Sequence, residues 1–251
     1  MNAQQANRLA FRVGPFTTAL GCLTALFWSV IPSGYAVSRF GSPLTDTWPQ
    51  SLTNPVAPTL VMVGLVLLSL IVLVVPTPRL RKIWATASLF GIGFCSLHVV
   101  TLNKAEFFGG LCAAVWWYWF VSTEASEPAR LRQDGPRLAT FVFMGAFLPS
   151  ALGKTVPFHS PLLQLRSYGL PPLVLDTGIP ESMRTAVMWM VVGIEGFVGL
   201  APLLPLRVAL WSVPVVITGM LLWDMYLLPA LLPVSGVAAA NLILLRWTDE
   251  P

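Results

Sequence analysis

Charged side chains are scarce in this 251-residue chain: Asp, Glu, Lys and Arg together make up 10% of it, where a soluble globular domain carries roughly a quarter. With 55% hydrophobic residues and a mean hydropathy of +0.73, that shortage excludes an ordinary water-soluble fold and points to a polytopic membrane protein. Cysteine is also sparse. Cys22, Cys95 and Cys112 lie far apart in apolar segments and form no CxxC pair, so a disulfide framework is excluded and all three read as small buried hydrophobes. The two histidines, His98 and His159, do not suit a bis-imidazole haem site, which needs both rings at one depth on facing helices, because His159 follows Pro157 in a connection. HExxH, GxSxG, a Walker loop, a nucleotide fingerprint and a Cys/His cluster are all missing, so no catalytic residue and no metal ligand is assigned. The net charge of +4 is scattered between apolar runs, which argues against nucleic acid as a partner.

What the chain does have is apolar length. Apolar runs fall at about 16–35, 58–75, 83–102, 107–121, 138–152, 185–204, 207–223 and 228–245, and the first four are each roughly long enough to cross ~30 Å of hydrocarbon as a helix rising ~1.5 Å per residue. The expected fold class is therefore all-α, a transmembrane helix bundle of about eight spans, with seven as the alternative because the fifth run is short and the last pair is interrupted. Arg8 and Arg12 ahead of an apolar run, with Gly34-Tyr35-Ala36 beyond it, loosely fit a signal peptide; a retained first span is the expectation. With the N-terminus inside, the inner side holds Arg8, Arg12, Arg79, Arg81, Lys82, Arg130, Arg132, Arg137, Arg207 and Arg246. The outer side holds only Arg39, Lys104, Lys154, Arg166 and Arg184. The positive-inside rule then places both termini in the cytoplasm of an inner-membrane protein.

Each half reads as span, long outer connection, span, short basic inner turn, span, tight outer turn, span. Near the inner turns, "VVPTPRLRKIWATA" aligns without gaps beside "APLLPLRVALWSVP". An even number of spans per half makes this a parallel repeat about an axis along the membrane normal. The expected domains are a first membrane half, 1–122, a polar cytoplasmic linker, 123–137, and a second membrane half, 138–251.

Glu195 stands out as an acid within an apolar run, placed near the midplane if the sixth helix begins at Thr185. An ionisable residue there is a functional-site candidate by default, and its bland counterpart is a hydrogen-bonded Glu locking helix packing beside glycines 193, 196 and 199. Lys154 falls at the outer interface, where a lysine snorkels to the headgroups, so an ion pair with Glu195 requires a shifted or bent fifth helix. His98 reads as a satisfied polar residue toward the outer side, and Asp224 marks the outer turn between Trp223 and Tyr226. The connection "SPLLQLRSYGL", with Arg166 and Tyr168, either lies on the outer surface or caps a cavity above Glu195. The aromatic cluster "WWYWF", 116–120, and the Trp223/Tyr226 pair read as interface anchors.

Three marks in the second half occur in order. Ala151-Leu152-Gly153-Lys154 ends one helix, "LRSYGLPP" follows in the connection, and "GIEGFVGLAPLLPLR" carries a glutamate among glycines into the next helix. In these the region from about 138 to 246 resembles the DoxX family of four-helix membrane proteins and, more loosely, its relative MauE. The resemblance implies a redox-associated membrane protein; one type of DoxX protein is a subunit of a thiosulfate:quinone oxidoreductase. The cysteine pairs that go with MauE-type thiol chemistry are absent here, which puts a direct electron-carrying or thiol-relay role in doubt. The expected function is thus a non-catalytic accessory or structural subunit of a larger inner-membrane complex, associated with electron transfer or its assembly. Its expected partners are the lipid bilayer and other membrane subunits. The alternative is a carrier or binding protein for a small lipophilic molecule such as a quinone, with Glu195 as a proton-sensitive site. Quinone or lipid are the ligands considered, and haem is not expected.

Overall fold

A computed structural model describes residues 3–30, 56–98, 104–155, 181–223 and 228–246, and every structural statement below refers to these. They form eight α-helices and no strand: α1 (Ala3–Val30), α2 (Val56–Val74), α3 (Pro78–His98), α4 (Lys104–Ser126), α5 (Pro128–Thr155), α6 (Glu181–Gly199), α7 (Leu206–Trp223) and α8 (Leu228–Arg246). A 3₁₀ turn, Ala201–Leu203, links α6 to α7.

Local chemistry explains several of the helix starts. Pro78 and Pro128 each stand first in their helices, where the missing N–H costs nothing and the fixed φ suits the first turn. At α3 the Thr77 hydroxyl also accepts the Leu80 N–H at 3.3 Å, satisfying one of the orphan donors of the helix start. At α5 the Glu127 carbonyl accepts the Arg130 N–H at 3.0 Å. The segment 123–137 is helical on both sides of Glu127. α4 continues to Ser126, one residue breaks the helix, and α5 carries the polar residues on its first turns before its apolar part, with Pro136 and Pro149 inside it.

Two helical stretches are long and apolar enough to cross a membrane, Gln4–Leu26 and Val56–Val74; Trp189–Gly199, Leu206–Gly219 and Leu231–Arg246 are apolar but shorter. The expected all-α fold is present, and of its eight helices α1 and α2 are clearly apolar enough for a span. α3 spends its first turns on Arg79, Arg81 and Lys82, and α5 on Arg130, Arg132, Asp134 and Arg137.

α1 makes its most extensive packing with α8, at the far end of the sequence, and next with α2; α4 packs along α5, and α4 and α8 adjoin each other. Small residues allow the close approaches, as between membrane helices generally. Gly236 of α8 lies against Thr17 of α1, whose hydroxyl bonds back to the Val13 carbonyl at 2.9 Å. Gly109 of α4 lies so close to Ala146 of α5 that a Cβ there would come within 2.7 Å of the alanine's. α1 and α5 are both 28 residues long, α2 and α6 both 19, and the connections after α1 and α5 are equal in length, 31–55 and 156–180, both outside the described residues.

The core is aromatic in the first half. Phe11, Trp84, Trp117 and Phe120 are almost fully buried. Phe11 meets Trp84 edge-on at 5.5 Å, Trp84 meets Trp117 at 6.0 Å, and Trp116 meets Trp117 at 4.8 Å. Such pairs add ~0.5–1.5 kcal/mol each beyond the area they bury. The expectation that "WWYWF" anchors a membrane interface is corrected here. Helical spacing puts residues 116, 117 and 120 on one inward face, leaving Tyr118 exposed and Trp119 half-buried. Trp84 and Trp116 also donate their indole N–H groups, to Ser69 Oγ at 3.0 Å and to the Gly135 carbonyl at 3.2 Å. The three cysteines are free, Cys22 and Cys95 buried and Cys112 half-buried, as their apolar surroundings predict.

Candidate functional site

Glu195 is 3% exposed. It shares the buried face of α6 with Val198 and Gly199, while Met183, Trp189, Met190, Ile194 and Phe197 point outward. The alternation follows the 3.6-residue period, and the buried face turns toward α5: Gly199 sits on the Leu148 backbone, where a Cβ would come within 2.9 Å. Because α6 starts at Glu181 and ends at Gly199, Glu195 lies about one turn from the end of the helix and not at its middle. The expected role of the glycines also narrows. Gly199 admits α5, but a Cβ at Gly193 or Gly196 would meet nothing within 4 Å.

Of the other predicted positions, Lys154 belongs to the last turn of α5 and His98 closes α3. The side chains of Lys154 and His98 lie outside the described residues, as do Arg166, Tyr168, His159 and Asp224 altogether. Among the described residues no three His, Cys, Asp or Glu side chains gather in a way that would hold a metal ion.

One charged feature was not assembled from the sequence. The first turns of α1, the α2–α3 turn and the α4–α5 joint enclose a basin of about 960 Å³. Arg8, Arg12, Arg79, Arg81, Lys82 and Arg132 line it, against one carboxylate, Glu124. That carboxylate is engaged, since Arg81 Nη1 stands 2.7 Å from Glu124 Oε2, with both side chains largely buried. Arg81 also donates from Nε to the Pro76 carbonyl at 3.1 Å, and its guanidinium carbon lies 4.3 Å from the centre of the Phe11 ring. This arginine is held by an ion pair, a backbone acceptor and an aromatic face at once. The other nearby acids serve Arg130, which reaches Asp134 at 3.0 Å and Glu127 at 3.5 Å. Its hydrogen bond to Asp134, and then the charge of Glu127, raise its already high pKa further.

On the wall of the basin Asn7 is 4% exposed, and its Oδ1 has no hydrogen-bond partner; neither has the buried Nε of Arg132. The signal was present in the sequence, because all six cations fall on the side assigned to the cytoplasm. They read there as determinants of orientation, scattered along the chain. The fold gathers them.

An apolar cavity of about 40 Å³ also lies between Cys22, Met62, Leu65, Ile92 and Cys95, with Pro233 of α8 on its wall. It has room for about one water-sized molecule.

Compared with known proteins, the chain matches no family model, no curated protein and no solved structure.

Proposed function

We propose that the chain is an integral-membrane accessory or structural subunit of a larger inner-membrane complex, without chemistry of its own, and that Glu195 fixes helix packing. The observation that carries this reading is the division of α6. One face buries Glu195 against α5, and the other offers Trp189, Met190, Gly193, Ile194 and Phe197 without a covering helix among the described residues. A face of large apolar residues beside open glycines suits lipid and a neighbouring transmembrane helix. The wide exposure of leucine, valine and phenylalanine on α2, α5 and α7 supports the membrane setting.

In this reading all eight helices cross or dip into the bilayer, with the basic basin and both termini at the cytoplasmic face. The two halves are a parallel repeat. Matched lengths of α1 with α5 and of α2 with α6 support this, as does the exchange by which α1 packs on α8 and α5 on α4. The DoxX-like marks in the second half support an association with electron transfer or its assembly.

Purification in mild detergent tests the proposal. The expected result is co-elution with at least one other membrane protein, preserved in Glu195→Gln. A chain that elutes alone as a stable monomer contradicts the subunit reading. Loss of quinone binding in Glu195→Gln with partner association intact would favour the carrier alternative.

A further inference from the structure

The basin at the basic end is more than a set of orientation signals. Three segments remote in sequence bring six cations around one cavity, and the only carboxylate on its wall is engaged by Arg81. Arg8, Arg12, Arg79 and Lys82 have no ion-pair partner among the described residues. Like charges around one cavity raise the free energy of the empty basin, and an anion relieves it. Two orphaned groups point to the kind of anion. The buried Arg132 Nε–H requires an acceptor, and the buried Asn7 Oδ1 requires a donor. A phosphate oxygen supplies the first, and a hydroxyl on the same ligand supplies the second.

The basin's apolar wall indicates where such a ligand comes from. Pro76 and Pro78 directly follow α2, whose outward residues Leu67, Leu70, Ile71 and Val74 are between 48% and 80% exposed along the most apolar helix of the chain. Acyl chains lying on that face would end with their head group in the basin.

We propose that the basin binds the head group of an anionic phospholipid bearing a free hydroxyl, of the phosphatidylglycerol kind, with the arginines on the phosphate and Asn7 on the hydroxyl. The inference rests on the membrane reading above. Basic pockets at the cytoplasmic ends of membrane helices are suited to this chemistry.

The test uses the full chain in detergent and measures retention of phosphatidylglycerol, phosphatidylcholine and phosphatidic acid by native mass spectrometry, with glycerol 3-phosphate as a soluble competitor. The expected result is a preference of about tenfold for phosphatidylglycerol over phosphatidylcholine, whose trimethylammonium group the cations repel; Arg132→Gln should lower phosphatidylglycerol retention about tenfold, since one charge-assisted hydrogen bond is worth about that factor. Arg8→Gln, at an exposed position on α1, is expected to weaken binding several-fold without disturbing elution, and stands in if Arg132→Gln fails to fold. Asn7→Leu should lower retention of phosphatidylglycerol but not of phosphatidic acid, which lacks the hydroxyl. Arg246→Gln, outside the basin, should change nothing.

Equal retention of the anionic and zwitterionic lipids overturns the proposal, and so does an equal loss in Arg246→Gln. Displacement of the lipid by glycerol 3-phosphate at matched concentration would make the occupant a soluble phosphate and overturn the lipid assignment. Failure of the membrane reading would show separately, as recovery of the chain from the soluble fraction.

Discussion

The helices α1–α4 and α5–α8 differ most at the turn between the second and third of each set. In the first half three residues separate α2 from α3, and the turn delivers Arg79, Arg81 and Lys82 onto the start of α1. Arg81 is tied there by Glu124, Pro76 and Phe11. In α5–α8 the 3₁₀ turn Ala201–Leu203, followed by Pro205, replaces this arrangement, with Arg207 as its one cation, and α6 packs sparsely on α7. The first half thus spends its polarity on a fixed, charged basin above an aromatic core. The second keeps one buried acid and leaves a face of α6 open. On the proposals above, the one end would retain an anion and the open side of α6 would meet neighbours.

The sharpest way to break that comparison is through the aromatic core. Trp117→Ala should destabilise the protein by about 4 kcal/mol, the cost of emptying a large buried site, whereas Phe197→Ala on the open face of α6 should cost less than about 0.5 kcal/mol. Thermal unfolding of the two purified variants in one detergent measures both; equal shifts would deny that the halves differ.

Next in size is the seam between the halves. Gly236→Val drives a side chain into Thr17 and should cost about 3 kcal/mol through overpacking, seen as a lowered unfolding temperature and a broadened elution peak.

Glu124→Gln should cost about 2 kcal/mol, because Arg81 stays largely buried without its counter-charge. The same change at Glu195 should cost under about 1 kcal/mol if that carboxyl serves as a hydrogen-bonding spacer in the α5–α6 contact. A larger loss for Glu195→Gln than for Glu124→Gln in a denaturant titration would reverse the assignment of the charge-dependent half.

The smallest contrast lies within α6. Gly199→Ala meets the Leu148 backbone and should cost about 1–2 kcal/mol, while Gly193→Ala enters open space and should be neutral or slightly stabilising, since alanine is the better helix former.

Much of this was legible in the sequence, and the failures have physical causes. Apolar run length located every helix, because in a chain this hydrophobic little else can occupy the runs. Ends were less legible, since polar first turns such as 128–137 of α5 continue a helix that hydropathy alone cuts at residue 138. α4 is apolar all round, so its periodicity did not reveal that Trp116, Trp117 and Phe120 face inward, and composition suggested an interface belt. Glu195 was legible as a buried acid, but its position depended on the helix start, which Glu181 moves outward from Thr185. The basin was not legible as a site, because its six cations come from three segments that only tertiary packing unites; the inward aim of Asn7 likewise depends on α1 continuing as helix well ahead of its apolar run.

One measurement tests the membrane account most directly. In a variant with Cys22, Cys95 and Cys112 replaced by alanine, single cysteines are introduced as Ser42→Cys, Ser126→Cys and Ser160→Cys, and intact cells are treated with a membrane-impermeant maleimide. The account predicts labelling at 42 and 160, and none at 126 until the membrane is opened, since it places the basic basin beside Ser126 at the cytoplasmic face. Labelling at 126 in intact cells, or the same labelling at all three positions, would contradict it.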